Sequence, residues 1–233
     1  MTTNMQQAEA TGRDFLASVN RLFDRAFASK CFPKGLAQRT REVNATCCEG
    51  FSARRRGNVQ SFTGWRSVHF EQVEPVKGGI RSALDASEVE VEALAALTIL
   101  KCAFAGLFFG GSKGVLMLDP RDWTAVELER ITRRFTREMA CHRLISPARN
   151  VPAADVVTGE GELVWMTDEH RNISPMDVLT AAACVTGKPV SRSRIAGRML
   201  ARPAAEPDFG TLSNAADVPA IEDVALVYSD LRT

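Results

Sequence analysis

Residues 87–118 read SEVEVEALAALTILKCAFAGLFFGGSKGVLML, and this stretch combines the signals of a helix, a glycine-rich loop and a strand. The Ser87 hydroxyl can cap a helix that carries acids in its first turn. The helix is predicted to run through Lys101 and to stop at Gly106, because glycine is common just past helix ends. Residues 115–118 are apolar and follow the glycines, which predicts a short buried strand.

The flanking segments continue this alternation of helices and short strands. The predicted elements are an amphipathic helix at 8–29, a β-hairpin around Gly57-Asn58, a helix opened by a Thr124–Glu127 capping box, a helix at 159–169, and a strand end or turn at 185–189. Helices that alternate with apolar strands indicate a layered α/β domain.

The composition is that of an ordinary globular protein. A net charge of +1 over 233 residues gives no reason to expect nucleic acid or an acidic membrane surface as the partner. The apolar run 93–109 is shorter than the roughly 20 residues of a membrane span and has Lys101 near its centre, so no span is expected. Residues 1–9 lack the basic start and the apolar core of a signal peptide, which favours a cytoplasmic location.

Cysteine and histidine give no sign of a metal site in the sequence. The 6 cysteines form no Cys-x-x-Cys pair, and buried free thiols are their expected state. His69, His142 and His170 are not spaced as metal-ligand pairs, so no metal site is assigned.

Three lysines stand out by their surroundings. Lys101 is the one charge in an apolar run, and a buried ammonium is costly unless it is paired or used. Lys77 and Lys113 are flanked by glycines, which let other groups approach the backbone closely. Together they suggest a cationic pocket for an anionic small molecule, and the alternative for each is an exposed solubilising charge. Residues 111–114 and 159–162 lack the residue order of a phosphate-binding loop, so that class of site is rejected.

Several runs of the sequence resemble the glutamate dehydrogenase branch of the Glu/Leu/Phe/Val dehydrogenases. They are residues 62–69, 75–81, 92–102, 109–114, 128–136 and 185–189. The resemblance extends from about residue 61 to residue 198. It implies a three-layer α/β/α domain with a mostly parallel, mixed sheet, assembly into a homo-oligomer, which is a hexamer in the family, and NAD or NADP as the cofactor.

The resemblance also assigns roles to individual residues. It implies catalysis by Lys113 and Asp155, and substrate binding by Lys77, Gly78, Thr98, Lys101 and Thr186. In the family, the lysine matched by Lys77 holds the side-chain carboxylate of glutamate, and that matched by Lys101 holds the α-carboxylate. Lys113 is then a base whose pKa is lowered by desolvation and nearby charge, and Asp155 exchanges a proton with the substrate amine. Glutamate and 2-oxoglutarate are the implied ligands.

The sequence departs from this family in two respects. A complete member continues into a Rossmann domain that binds NAD or NADP, and no such fingerprint occurs here. Residues 1–198 are therefore expected to be the substrate-binding and oligomerisation domain, and 199–233 a divergent tail. Val157 stands where the family has glycine, which restricts the backbone beside Asp155. The lone chain is expected to be inactive; the alternatives are a non-catalytic subunit that assembles with a full-length dehydrogenase, and a decayed fragment.

Overall fold

The computed structural model of the chain describes residues 2–29, 31–55, 58–174, 180 and 183–186. The helices are α1 (Thr2–Ala28), α2 (Leu36–Arg41), α3 (Glu88–Phe104), α4 (Ala125–Cys141) and α5 (Glu160–Ile173), with a 3-10 turn at Pro120–Asp122. The strands are β1 (Ala45–Arg55), β2 (Asn58–His69), β3 (Val76–Ser82), β4 (Gly111–Leu116) and β5 (Asn150–Ala153).

The strands form one mixed sheet in the order β1-β2-β4-β3-β5. Strand β2 is antiparallel to both β1 and β4, whereas β3 runs parallel to β4 and to β5. Two of the four strand pairings are thus parallel, and β3 takes part in both of them. The β1–β2 pairing is the predicted hairpin, although Gly57 of its predicted turn lies outside the described residues.

Helices cover both faces of this sheet, and neighbouring residues of β4 show the division. Val115 is buried with Val91 of α3, and α1 packs on the outer side of that helix. Leu116 points to the opposite face and is buried with Phe135 of α4 and Leu163 of α5. The predicted three-layer α/β/α arrangement is therefore confirmed. None of the helices in the described part of the chain has the length and hydropathy needed to cross a membrane.

Local capping signals locate the helix ends well. The Ser87 hydroxyl accepts a hydrogen bond from the Glu90 N–H at 3.3 Å and caps α3, as predicted. Gly106, with a φ of 64°, follows the end of that helix. The predicted capping box at Thr124–Glu127 opens α4. Helix α1 begins well before the predicted start at residue 8.

Strand β4 begins at Gly111, earlier than the predicted strand at 115–118. The predicted glycine loop is therefore largely strand. A Cβ at Gly111 would collide with the Ala95 carbonyl in α3, and a Cβ at Gly78 would collide with the Ser112 carbonyl. Glycine is generally disfavoured in strands. At Gly111, however, the close packing of α3 on the sheet leaves no room for a side chain.

Candidate functional site

A cleft of about 240 Å³ lies between α3, the α3-facing side of the sheet and the loop after β5. All of the residues to which the resemblance assigned roles line it: Lys77, Gly78, Thr98, Lys101, Lys113, Asp155 and Thr186. The predicted strand end or turn at 185–189 supplies Thr186, and residues 187–189 lie outside the described residues. Residues far apart in the sequence thus meet in one cavity.

Strand and helix periodicity bring the lysines together. Lys77 in β3 pairs with Gly111 of β4 in parallel register, and Lys113 lies two residues further along β4. Because alternate residues of a strand point to the same face, Lys77 and Lys113 both face α3. Thr98 and Lys101 are one helical turn apart on α3, so they project into the same space.

Lys113 and Asp155 form an ion pair at the base of the cleft. Lys113 is buried, with 7% of its surface exposed. Burial, together with the positive charges of Arg81 and Lys101, lowers the pKa of Lys113 to about 7. The Asp155 carboxylate favours the charged ammonium and acts in the opposite direction. Burial and the neighbouring cations thus weaken the hold of Lys113 on its proton, and Asp155 strengthens it.

The other two lysines form the cationic wall of the cleft. The Lys77 ammonium lies 4.1 Å from the centre of the Phe109 ring, a distance that allows a cation–π attraction. Lys101 is half-buried, and this burial lowers its pKa. Burial raises the pKa of Cys102 to about 11. The positive charges of Lys77 and Lys101 act in the opposite direction. With one carboxylate among three ammonium groups, the cleft favours an anion that carries more than one carboxylate.

The loop that carries Asp155 is fixed by Thr158, a residue that sequence reasoning missed. The Asp155 N–H donates to Thr158 Oγ1 at 3.0 Å, and that hydroxyl donates to the Ile80 carbonyl at 2.5 Å. Between them, Val157 has a φ of 61°, which is a strained conformation for a β-branched residue. Val157 stands where the resembling family has glycine. Its positive φ is the physical reason that glycine suits this position.

A buried arginine supports the cleft from the other face of the sheet, and no sequence pattern indicated it. Arg66 is fully buried and donates to Asn150 Oδ1 from Nε at 3.2 Å and from Nη2 at 2.5 Å. Its Nη1 donates to the Gly78 carbonyl at 3.2 Å. Ser112 also donates to Asn150 Oδ1, at 3.1 Å. The arginine thus ties β2 to β3 and β5 directly beneath the cleft.

Known proteins are similar to this chain over the region that forms the cleft. The family model described as Glu/Leu/Phe/Val dehydrogenase, dimerisation domain, matches residues 45–172. A probable glutamate dehydrogenase of Sinorhizobium fredii is 53% identical over 166 residues, which are 71% of this chain and 37% of the relative. The cryptic catabolic NAD-specific glutamate dehydrogenase GudB of Bacillus subtilis is 35% identical over 191 residues, 80% of this chain and 44% of the relative.

The fold has a solved counterpart as well. The hetero-hexameric glutamate dehydrogenase of Thermus thermophilus, in its Leu-bound form, superposes with a TM-score of 0.70 at 27% identity. That match covers 76% of this chain and 42% of the solved chain. The chain therefore spans less than half the length of the relatives it matches.

Proposed function

We propose, because the chain belongs to the Glu/Leu/Phe/Val dehydrogenase family, that its cleft binds L-glutamate and 2-oxoglutarate. The enzyme built on this domain oxidatively deaminates L-glutamate to 2-oxoglutarate and ammonia with NAD or NADP as the oxidant. The observation that carries this proposal is a single cleft in which three lysines surround one carboxylate. The NAD-specific relative from B. subtilis favours NAD.

Two of the lysines suit the two carboxylates of the substrate. Lys77 receives the side-chain carboxylate, and Lys101 receives the α-carboxylate. Gly78, Thr98 and Thr186 complete the wall around the substrate. The Thr186 N–H donates to the Pro152 carbonyl at 2.8 Å, so this part of the wall is anchored to β5. The hydrogen bonds from Lys77 and Lys101 to the two carboxylates would be charge-assisted, and such bonds are about twice as strong as neutral ones.

The remaining pair carries the proton transfers. Oxidation at Cα of glutamate leaves an iminium, and water must lose a proton as it adds to that carbon. Lys113, whose pKa burial lowers to about 7, takes this proton near neutral pH. Asp155, as a carboxylate, takes a proton from the substrate ammonium before the oxidation and returns it to the nitrogen as ammonia leaves. Their direct contact supports this division of roles, because two adjacent groups can reach neighbouring atoms of one substrate.

The proposed residues act on the amino acid and its protons. Among the described residues, the run that starts at Gly159 has Val164 where a Gly-x-Gly-x-x-Gly loop requires its last glycine. The described residues therefore offer the dinucleotide no loop of this kind.

Titration of the purified chain with 2-oxoglutarate, followed by calorimetry, tests the binding proposal. We expect saturable binding that Lys101→Ala abolishes, because the variant removes the cation that faces the α-carboxylate. Lys34→Ala is the matched control, since Lys34 is an exposed lysine outside the cleft. Equal binding by wild type and Lys101→Ala would contradict the proposal.

A second function is favoured by the strained Val157 beside Asp155: a non-catalytic subunit that assembles with a full-length dehydrogenase. The T. thermophilus enzyme is a hetero-hexamer, so related domains do occur in mixed assemblies. Light scattering after size exclusion measures the assembly. We expect particles larger than the 25.4 kDa chain, and mixed particles after co-expression with a tagged glutamate dehydrogenase. A monomer under both conditions would exclude the subunit role and the homo-oligomer.

A further inference from the structure

A cluster of potential metal ligands lies on the face of the sheet away from the cleft. Cys47 and Glu49 are two residues apart in β1, so their side chains point to the same face, the one against which α4 packs. Phe51, the next residue in this row, is buried with Phe135 of α4. Helix α4 ends at Cys141, and His142 follows it directly over the two strand residues.

The three side chains already converge on one point. Glu49 Oε1 lies 2.8 Å from His142 Nε2 and 3.4 Å from Cys47 Sγ. All the ligand atoms lie within 4.8 Å of one another. Two ligands of one tetrahedral Zn²⁺ are about 3.3–3.5 Å apart, given Zn–N and Zn–O distances near 2.0–2.1 Å and Zn–S near 2.3 Å. The Glu49–His142 pair is closer than this spacing, and rotation of the half-exposed His142 side chain is the adjustment that binding would require.

We propose that Cys47, Glu49 and His142 form a Zn²⁺ site whose fourth position is open to water or to a ligand from another molecule. A thiolate, an imidazole and a carboxylate are the three ligand types that zinc accepts in proteins. The thiolate and the carboxylate together balance the charge of the divalent ion. Binding forms the zinc–sulfur bond and releases the Cys47 thiol proton to solvent, with no oxidant or reductant.

The site would clamp the end of α4 to the edge strand of the sheet. The ligands come from two segments of the chain that are far apart in sequence, so the spacing of cysteines and histidines alone could not reveal it. Among the described residues, Arg66 is a buried cation on this face, opposite Cys47 in the strand pairing. Its guanidinium is already engaged by Asn150 and the Gly78 carbonyl, so it leaves the acidic charge of the cluster for the metal.

Metal titration of the full chain tests the proposal. After chelator treatment, Co²⁺ should bind one per chain and give a thiolate-to-cobalt charge-transfer band, and Zn²⁺ should displace it. Cys47→Ser should remove the band and weaken Zn²⁺ affinity at least ten-fold in competition with a chromophoric chelator, and His142→Asn should weaken affinity to a similar extent. Circular dichroism confirms that each variant is folded.

Two neighbouring thiols provide matched controls. Cys48 is exposed and points to the other face of β1, and Cys141 is exposed at the end of α4. Cys48→Ser and Cys141→Ser should retain the band and the affinity of the wild type. A band that persists in Cys47→Ser, or that either control variant abolishes, would overturn the site, as would the absence of binding by wild type at micromolar Zn²⁺.

Discussion

Two buried cations, Lys113 and Arg66, lie on opposite faces of the same sheet and have different partners. On the α3 face, Lys113 pairs with the Asp155 carboxylate. On the α4 face, Arg66 has only neutral acceptors within the described part of the chain, and Asn150 is the main one. Burial lowers the pKa of Arg66 only to about 9, so it stays charged at neutral pH. The sheet thus holds one cation against a carboxylate and the other against neutral acceptors that join its strands beneath the cleft.

Replacement of Arg66 by an apolar side chain removes the buried cation of the α4 face. In Arg66→Met, Asn150 Oδ1 and the Gly78 carbonyl would lose their buried donor. We expect the free energy of unfolding to fall by about 3–5 kcal/mol. Denaturant unfolding measures it. The matched control Arg54→Met removes an exposed arginine of β1 and should change stability by less than about 0.5 kcal/mol. A similar small loss in Arg66→Met would show that the guanidinium is not a structural support.

A pH series tests whether Lys113 is the titrating cation. Its pKa is about 7 in the folded chain and about 10.4 in an unfolded one. Between these values the unfolded chain binds one more proton, so stability is lowest below pH 7 and rises toward pH 10, by up to about 1.4 kcal/mol per pH unit. Lys113→Met should flatten this rise in unfolding experiments. An identical pH slope in wild type and variant would mean that Asp155 keeps the lysine charged.

The substitution Asn150→Asp would pair Arg66 with a carboxylate, as Lys113 is paired with Asp155. In Asn150→Asp, both carboxylate oxygens can accept hydrogen bonds, and the Asn150 Nδ2, which is buried without a partner, is eliminated. We expect a gain of about 1–2 kcal/mol at neutral pH from the charge-assisted bonds. Because Arg66 would lower the pKa of the new carboxyl, the gain should be lost as the pH falls below about 4. A loss of stability at neutral pH would mean that the site tolerates only a neutral acceptor.

The smallest expected effect concerns the backbone that presents Asp155. Val157→Gly relieves the left-handed strain, worth about 1–2 kcal/mol, but adds freedom to the unfolded chain. We expect a net stabilisation of about 0.5–1 kcal/mol by thermal unfolding. Val156→Gly is the control, since this neighbouring exposed valine has no positive φ, and it should not stabilise. Equal shifts in both variants would locate the effect in the unfolded chain.

The sequence was most informative where the physics is local or carried by family motifs. Ser87 and the Thr124–Glu127 box located helix starts because capping depends on residues within one turn. The lysines were found because a charge in apolar surroundings, or between glycines, is unusual on its own. Their gathering in one cleft follows from the family resemblance.

Contacts between segments far apart in the chain could not be predicted from local sequence patterns. The bond between Arg66 and Asn150 joins residues 84 positions apart, and nothing in either neighbourhood indicates the other. Thr158 is an ordinary loop threonine until the Ile80 carbonyl is placed beside it. The start of β4 was placed too late because Gly111 is favoured in a strand only after α3 has packed against it.

The absence of a side chain at Gly79 sets a limit on the chemistry of the cleft. A Cβ there would lie 2.6 Å from the Asp155 Cβ, closer than real side chains approach. One added methyl group would therefore push the carboxylate away from Lys113 without altering any charge. The proton affinity of the lysine is in this sense under steric control, because the space left by one missing carbon lets the carboxylate reach it.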